Sequence, residues 1–198
     1  FDIRNMKNNK CIFSLLFIFV FCGFCTFSIP AKSEAQLGLN TFYLSEQTTA
    51  ATTTTATKTI WVFDILFSPA GAKKFFMGWN VMGVSTSDAT TTTTTFASTD
   101  MGPKFLWYFT KSGNWTLALS YNLLVTAKYN AGTEETWTGT SLLGELAYMP
   151  DITENFSAGV KLNYYSGSFS KQVIGTTTTD VSYKKNLIMP SIGIVYHF

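Results

Sequence analysis

Beyond residue 35 the chain has no cysteine, because Cys11, Cys22 and Cys25 all lie near its N-terminus. That excludes a disulfide framework, a thiolate metal site and a thiol nucleophile from the remainder. Histidine is nearly missing as well: His197 stands alone, one residue from the end. Charge is scarce, at 13% of residues, while aromatics make up 16%. Soluble domains usually carry about 25% charged residues, so a wholly water-facing exterior is hard to assemble from this composition. After Gln36 there is no apolar run long enough for a membrane-crossing helix, and no stretch with sustained helical spacing.

The one long apolar run comes first. "CIFSLLFIFVFCGFCTF" spans Cys11 to Phe27, preceded by Met6, Lys7 and Lys10 and followed by Pro30 and Ser33-Glu34-Ala35. A positive flank, a short apolar middle and small residues at a cut site describe a secretory signal peptide, here with cleavage after Ala35 and translation from Met6. An uncleaved membrane helix is the rival, for which the run is barely long enough. The expected organisation is therefore residues 1–35 as a removed leader and 36–198 as one domain, ending without an appended module. Arg4, Lys7, Lys10 and Lys32 leave with the leader, as do Asp2 and Glu34, so the rest is balanced in charge and offers no basic footprint for nucleic acid.

What is present is alternation. Eight segments carry it, near residues 37–47, 58–67, 74–86, 97–110, 114–129, 136–149, 155–169 and 183–198. Short connections hold Pro, Gly or Asn where a tight reversal needs them: "SPAGAK" at Ser68 to Lys73, "KSGN" at Lys111 to Asn114 and "MPDITEN" at Met149 to Asn155. Between them come longer ones: "TTAATTTTAT" at Thr48 to Thr57, "STSDATTTTTTF" at Ser85 to Phe96, "NAGTEET" at Asn130 to Thr136 and "SKQVIGTTTTDVS" at Ser170 to Ser182. Long and short take turns, so every threonine run falls at the same end of an up-and-down sheet.

Parity assigns the faces. In the fifth segment Trp115, Leu117, Leu119, Tyr121, Leu123, Val125 and Tyr129 share one side, against Thr116, Ala118, Ser120, Asn122, Thr126 and Lys128. The last segment puts Ile188, Pro190, Ile192, Ile194, Tyr196 and Phe198 together. An apolar outside with a small, polar inside reverses the polarity of a soluble barrel; a soluble sandwich with Trp115 and Tyr121 in its core is the competing reading. Aromatics near segment ends fit interfacial girdles, with Phe67, Phe75, Trp107, Phe109, Trp115, Tyr148, Phe156, Tyr196 and Phe198 at the short-turn end and Tyr43, Tyr129 and Trp137 at the other.

This pattern, over residues 36–198, resembles the small eight-stranded outer-membrane barrels of the OmpA and OmpX type. The resemblance implies an all-β fold, an eight-stranded antiparallel up-and-down transmembrane β-barrel, in the outer membrane of a bacterium. It further implies that Ile192, Ile194, Tyr196 and Phe198 form the C-terminal signal read by the barrel-assembly machinery during insertion. Pro190 departs from the pattern, since it removes a ladder donor and is expected to need a bulge.

The expected role is non-enzymatic: a monomer among outer-membrane lipids, serving envelope structure or meeting host or other surface ligands through its threonine-rich outer loops. A narrow transporter for small or hydrophobic compounds is the alternative, and a lipid-modifying enzyme the third reading. Eight strands enclose only enough room for side chains. Inward parity collects Asp64, Lys104, Glu145 and Lys161 near the short-turn end, where a buried ion-pair network is expected to close the lumen. No catalytic set, metal site or cofactor is expected: His197 sits at the rim, Glu134-Glu135 reads as solvated charge, and no phosphate-cradling glycine loop is present. Lys184 and Lys185 near the outer rim are candidates for lipid phosphates or simply a solvated pair.

Overall fold

The computed structural model describes residues 35–49, 53–69, 72, 74–89, 93–110 and 113–198. The expected leader lies outside the described residues except for Ala35, which opens the first strand. The strands are β1 (Ala35–Thr49), β2 (Thr53–Phe67), β3 (Phe75–Ala89), β4 (Thr93–Tyr108), β5 (Trp115–Asn130), β6 (Glu134–Tyr148), β7 (Asp151–Thr153), β8 (Phe156–Ile174) and β9 (Thr177–His197). All pairings are antiparallel. Strands β1 to β6 pair in chain order, β6 pairs with β8, and β9 returns to β1, which closes the sheet on itself. Eight long strands form this ring; the ninth, β7, is a three-residue piece of the "MPDITEN" turn that folds back onto β8.

Several strands run further than the alternation suggested. The second begins at Thr53 rather than 58, β4 at Thr93 rather than 97 and β9 at Thr177 rather than 183. The threonine tracts are the reason. Thr48 pairs Thr54, Asp88 pairs Thr94 and Val173 pairs Thr178, so threonines expected in loops sit in the ladders. A β-branched residue favours extended backbone, so the tracts prolong the strands. The hairpin tips beyond β5 and β8 turn on Gly132 and Gly175, whose φ values of 104° and 58° suit glycine alone without strain.

The wall is apolar on its outside. Trp61, Phe63, Ile65 and Phe67 of β2 and Trp115, Leu117, Leu119 and Tyr121 of β5 are all exposed, while Val62, Asp64, Leu66, Thr116, Ala118 and Ser120 between them are buried. Aromatic pairs ring the short-turn end: Trp107 with Phe109, Trp115 with Tyr148, and Tyr196 with Phe198 at 4.8 Å.

Two expected face assignments are overturned. Strand β5 carries a bulge: its register shifts between Asn122 and Val125, and Leu123 and Leu124 both face out. An extra residue reverses the parity beyond it. Val125 and Ala127 are therefore buried, Thr126 and Lys128 are exposed, and Tyr129 turns inward against Trp137, 4.6 Å away. Trp137 also packs on Phe169 and Tyr183 against the interior cluster, so it faces inward rather than girdling the wall.

Nor is the interior uniformly small and polar. Leu66, Phe76, Leu106 and Ala118 pack together nearest the short turns. Charged and amide side chains follow, and the half facing the long hairpins holds Ile60, Val62, Met82, Val84, Phe96, Leu143, Tyr165, Phe169 and Met189.

Candidate functional site

The polar layer is built by residues of alternating parity on four strands. The structure brings Asp64, Lys104, Glu145 and Lys161 together. Lys104 Nζ donates to Asp64 Oδ2 and to Glu145 Oε2, both at 2.8 Å, and Lys161 Nζ lies 3.6 Å from the same Glu145 oxygen. Lys104 comes from β4, Asp64 from β2, Glu145 from β6 and Lys161 from β8, so the cluster spans the ring. All four are buried, and their formal charges cancel. Glu145 and Lys161 are not direct cross-strand partners: Glu145 faces Asn163 and Lys161 faces Ala147, so their contact is diagonal. Two glycines of the closing strands leave the space. A Cβ on Gly38 would sit 2.5 Å from Asp64 Oδ1, and one on Gly193 2.8 Å from Lys161 Cε.

One buried carboxylate escaped the sequence reading. Asp100 is fully buried one layer outward, its Oδ2 accepting from Ser141 Oγ at 2.5 Å, while Ser141 Oγ in turn accepts from Asn122 Nδ2 at 2.9 Å. The signal was available, because Asp100 lies four residues from Lys104 on the same strand and so shares its face.

At the short-turn rim His197 Nε2 lies 2.9 Å from Ser157 Oγ, and that hydroxyl donates to Asp151 Oδ1 at 2.6 Å. A hydrolytic triad needs the carboxylate on the imidazole's other nitrogen. Here Asp151 engages the hydroxyl instead, and Ser157 is buried. Among the described residues no cluster of His, Cys, Asp and Glu is placed to hold a metal ion.

The closing seam is the shortest ladder of the ring. Strands β1 and β9 pair from Gln36↔His197 to Thr41↔Ile192 and no further, although both continue outward. Ile192, Ile194, Tyr196 and Phe198 line the exposed face of β9 along this seam, with Met189, Ser191 and Val195 turned in. Pro190 carries no bulge: Leu162↔Pro190 is an ordinary step of the β8–β9 register. Hydrogen bonding explains why. Phe198 N–H donates to Ala35 O, on the β1 side, whereas His197 N–H donates to Asn155 O, on the other. Backbone groups alternate sides along an antiparallel strand, so those of 196, 194, 192 and 190 also face β1. The donor that proline lacks belongs to the seam, at the step where the seam stops.

No protein-family model matches the chain, and no curated protein does. Among solved structures it is similar to the crystal structure of Neisserial surface protein A, with 14% identity and a TM-score of 0.45, over 84% of this chain and 97% of that one.

Proposed function

We propose that this chain is a non-enzymatic β-barrel of the bacterial outer membrane with a structural or surface-interaction role. The polarity of its wall is the observation that carries this reading. Large apolar side chains alternate outward on all sides of a closed ring, while carboxylates and ammonium groups point to its axis. Hydrocarbon offers no hydrogen-bond partners, so a sheet immersed in it must close and turn its polar groups inward. The cross-ring ion pairs and the inward-packed aromatics around Trp137 support a structural or surface role over axial conduction. The threonine-rich hairpin ends extend paired backbone past the apolar belt, and they are the parts offered to surface ligands. In this reading β9 is the strand presented to the assembly machinery, and the folded barrel is a monomer among lipids.

Membrane fractionation with heated and unheated gel samples tests the reading. The mature polypeptide is expected in the outer-membrane fraction, migrating at two positions depending on heating. A freely dissolved chain with one position would sink it. In planar bilayers no steady conductance is expected; a sustained one would favour the narrow-transporter alternative. Deleting Thr90 to Thr95 is expected to abolish binding to surfaces while heat-modifiability persists, and unchanged binding would remove the adhesive role.

A further inference from the structure

Three consecutive ladders of the ring are irregular side by side. The register of β5 against β6 shifts between Asn122 and Val125, that of β6 against β8 between Thr138 and Gly139, and that of β8 against β9 between Phe169 and Lys171. Gly139 stands between two of these shifts, pairing with Val125 on one side and Phe169 on the other. The β8 backbone takes the space that a Cβ would need there, since such an atom would collide with Ser168 O. Extra residues bend a strand and re-aim its side chains. Here they accompany a groove of about 460 Å³, lined by Leu123 and Leu124 of β5, Thr138 and Thr140 of β6, and Ser170 and Lys171 of β8, with Thr126 and Ser168 completing its sides. It opens on the outside of the wall, where Leu123, Leu124, Thr126, Ser168, Ser170 and Lys171 are exposed. The groove also straddles a border. Along β5 the exposed face stays apolar from Trp115 to Leu124 and then changes to Thr126 and Lys128; along β8 Val160, Leu162 and Tyr164 give way to Ser168, Ser170 and Lys171. Charge around it is positive on balance. Lys171 lines it, exposed Lys184 faces Ser168 across the β8–β9 ladder, Asp180 faces Lys171, and Lys128 is neutralised by Glu134 at 2.8 Å.

We propose that this groove binds a phosphorylated glycolipid of the outer leaflet. One acyl chain lies on Leu123 and Leu124, the sugar sits among the hydroxyls of Thr126, Thr140 and Ser168, and the phosphate meets Lys171 and Lys184. Position selects an amphiphile. In the membrane-embedded reading, on which this inference rests, the line where leucine gives way to threonine and serine is the depth at which hydrocarbon gives way to headgroups. A lipid therefore reaches the groove with its chains on the apolar side of the border and its head on the polar side. Volume selects a head larger than a lone ion, because pockets of roughly 300–1,000 Å³ enclose whole small molecules. Hydroxyls both donate and accept, which matches the hydroxyls of a sugar, and the threonines are stiff at χ1, so they lose little freedom on binding. The positive balance selects phosphate over a head without net charge, as lysines at a membrane surface do.

The test places the folded barrel in phosphatidylcholine nanodiscs doped with diphosphoryl lipid A, or with the same lipid after dephosphorylation, and counts retained lipids by native mass spectrometry. One diphosphoryl lipid A per barrel is expected to be retained in preference to phosphatidylcholine, and the dephosphorylated form is expected to be held several-fold more weakly. Lys171→Gln is expected to weaken retention roughly fivefold, the worth of one lysine against an anionic headgroup. Thr140→Trp fills the groove from β6 and is expected to abolish retention. Val160→Trp, on the exposed wall of β8 nearer the short turns, and Lys74→Gln, at the opposite end of the barrel, are expected to leave it in place. Equal retention of the dephosphorylated lipid, indifference to Thr140→Trp, or an equal loss in Lys74→Gln would overturn the proposal. Should Thr140→Trp fail to fold, Lys171→Gln decides alone, because it removes only an exposed charge. A barrel that is heat-modifiable yet retains no lipid A rejects the groove alone, whereas one without heat-modifiability rejects the membrane reading itself.

Discussion

Lys104 is the residue on which the polar layer turns. It contacts two carboxylates at 2.8 Å, whereas Lys161 reaches one of them at 3.6 Å, so the two lysines are not equivalent. Replacing Lys104 with Met leaves Asp64 and Glu145 facing each other in a buried layer with only Lys161 to offset them. Breaking a buried pair from one side costs about 3–5 kcal/mol, because the stranded charge keeps its desolvation penalty. Lys104→Met is expected to lower the unfolding free energy, read from the urea midpoint and slope of the barrel in lipid vesicles, by an amount in that range, and Lys161→Met by less. Equal losses would contradict the geometry, and an unchanged midpoint in both would remove the network as a stabilising element. Parity alone collected these four side chains, because each lies on a stretch without a bulge. It could equally have collected Asp100, whose alternation with Lys104 is unbroken. What parity could not supply was the diagonal contact of Lys161, which depends on register.

At the scale of elements, the bulge in β5 decides which side chains reach the lumen. Leu123 and Leu124 are adjacent apolar residues in a strand that otherwise alternates, and that doublet is the trace the bulge leaves in the sequence. Unbroken alternation puts Val125 and Tyr129 on the outer face; with the bulge they join the apolar half of the interior. A deletion pair separates the two views. Removing Leu124 leaves Asn122 inward, Leu123 outward and Val125 inward, so the heat-modifiable barrel is expected to survive with some loss of stability. Removing Leu119, one turn of alternation away from any bulge, sends Ser120 and Asn122 into lipid and brings Tyr121 inside. That variant is expected to lose heat-modifiability, and equal behaviour of the two deletions would reject the bulge. Pro190 illustrates the opposite limit of sequence reading. A missing donor was legible, but its direction was not, since that depends on which neighbour Phe198 and His197 face. Pro190→Val restores an N–H aimed at Tyr43 O, so slower amide exchange is expected from Tyr43 outward, and unchanged exchange would mean that another feature ends the seam.

For the molecule as a whole the two ends differ in chemistry and in reach. One end closes through short turns above a girdle of aromatic pairs, and the other is reached by the longest strands, β8 and β9, of 19 and 21 residues. The alternation of connections made this asymmetry readable in the sequence, although the threonine runs proved to be mainly strand, because propensity and cross-strand pairing act together there. In the membrane-embedded reading such asymmetry predicts an orientation, with short turns on the periplasmic side and longer extensions outside. The expectation is directly testable because residues 36–198 contain no cysteine. Thr133 is exposed at the tip between β5 and β6, and Glu154 is exposed in the turn before β8. A membrane-impermeant maleimide added to intact cells is expected to label Thr133→Cys and to spare Glu154→Cys, which becomes reactive only after the outer membrane is permeabilised. The reverse order of labelling would invert the barrel.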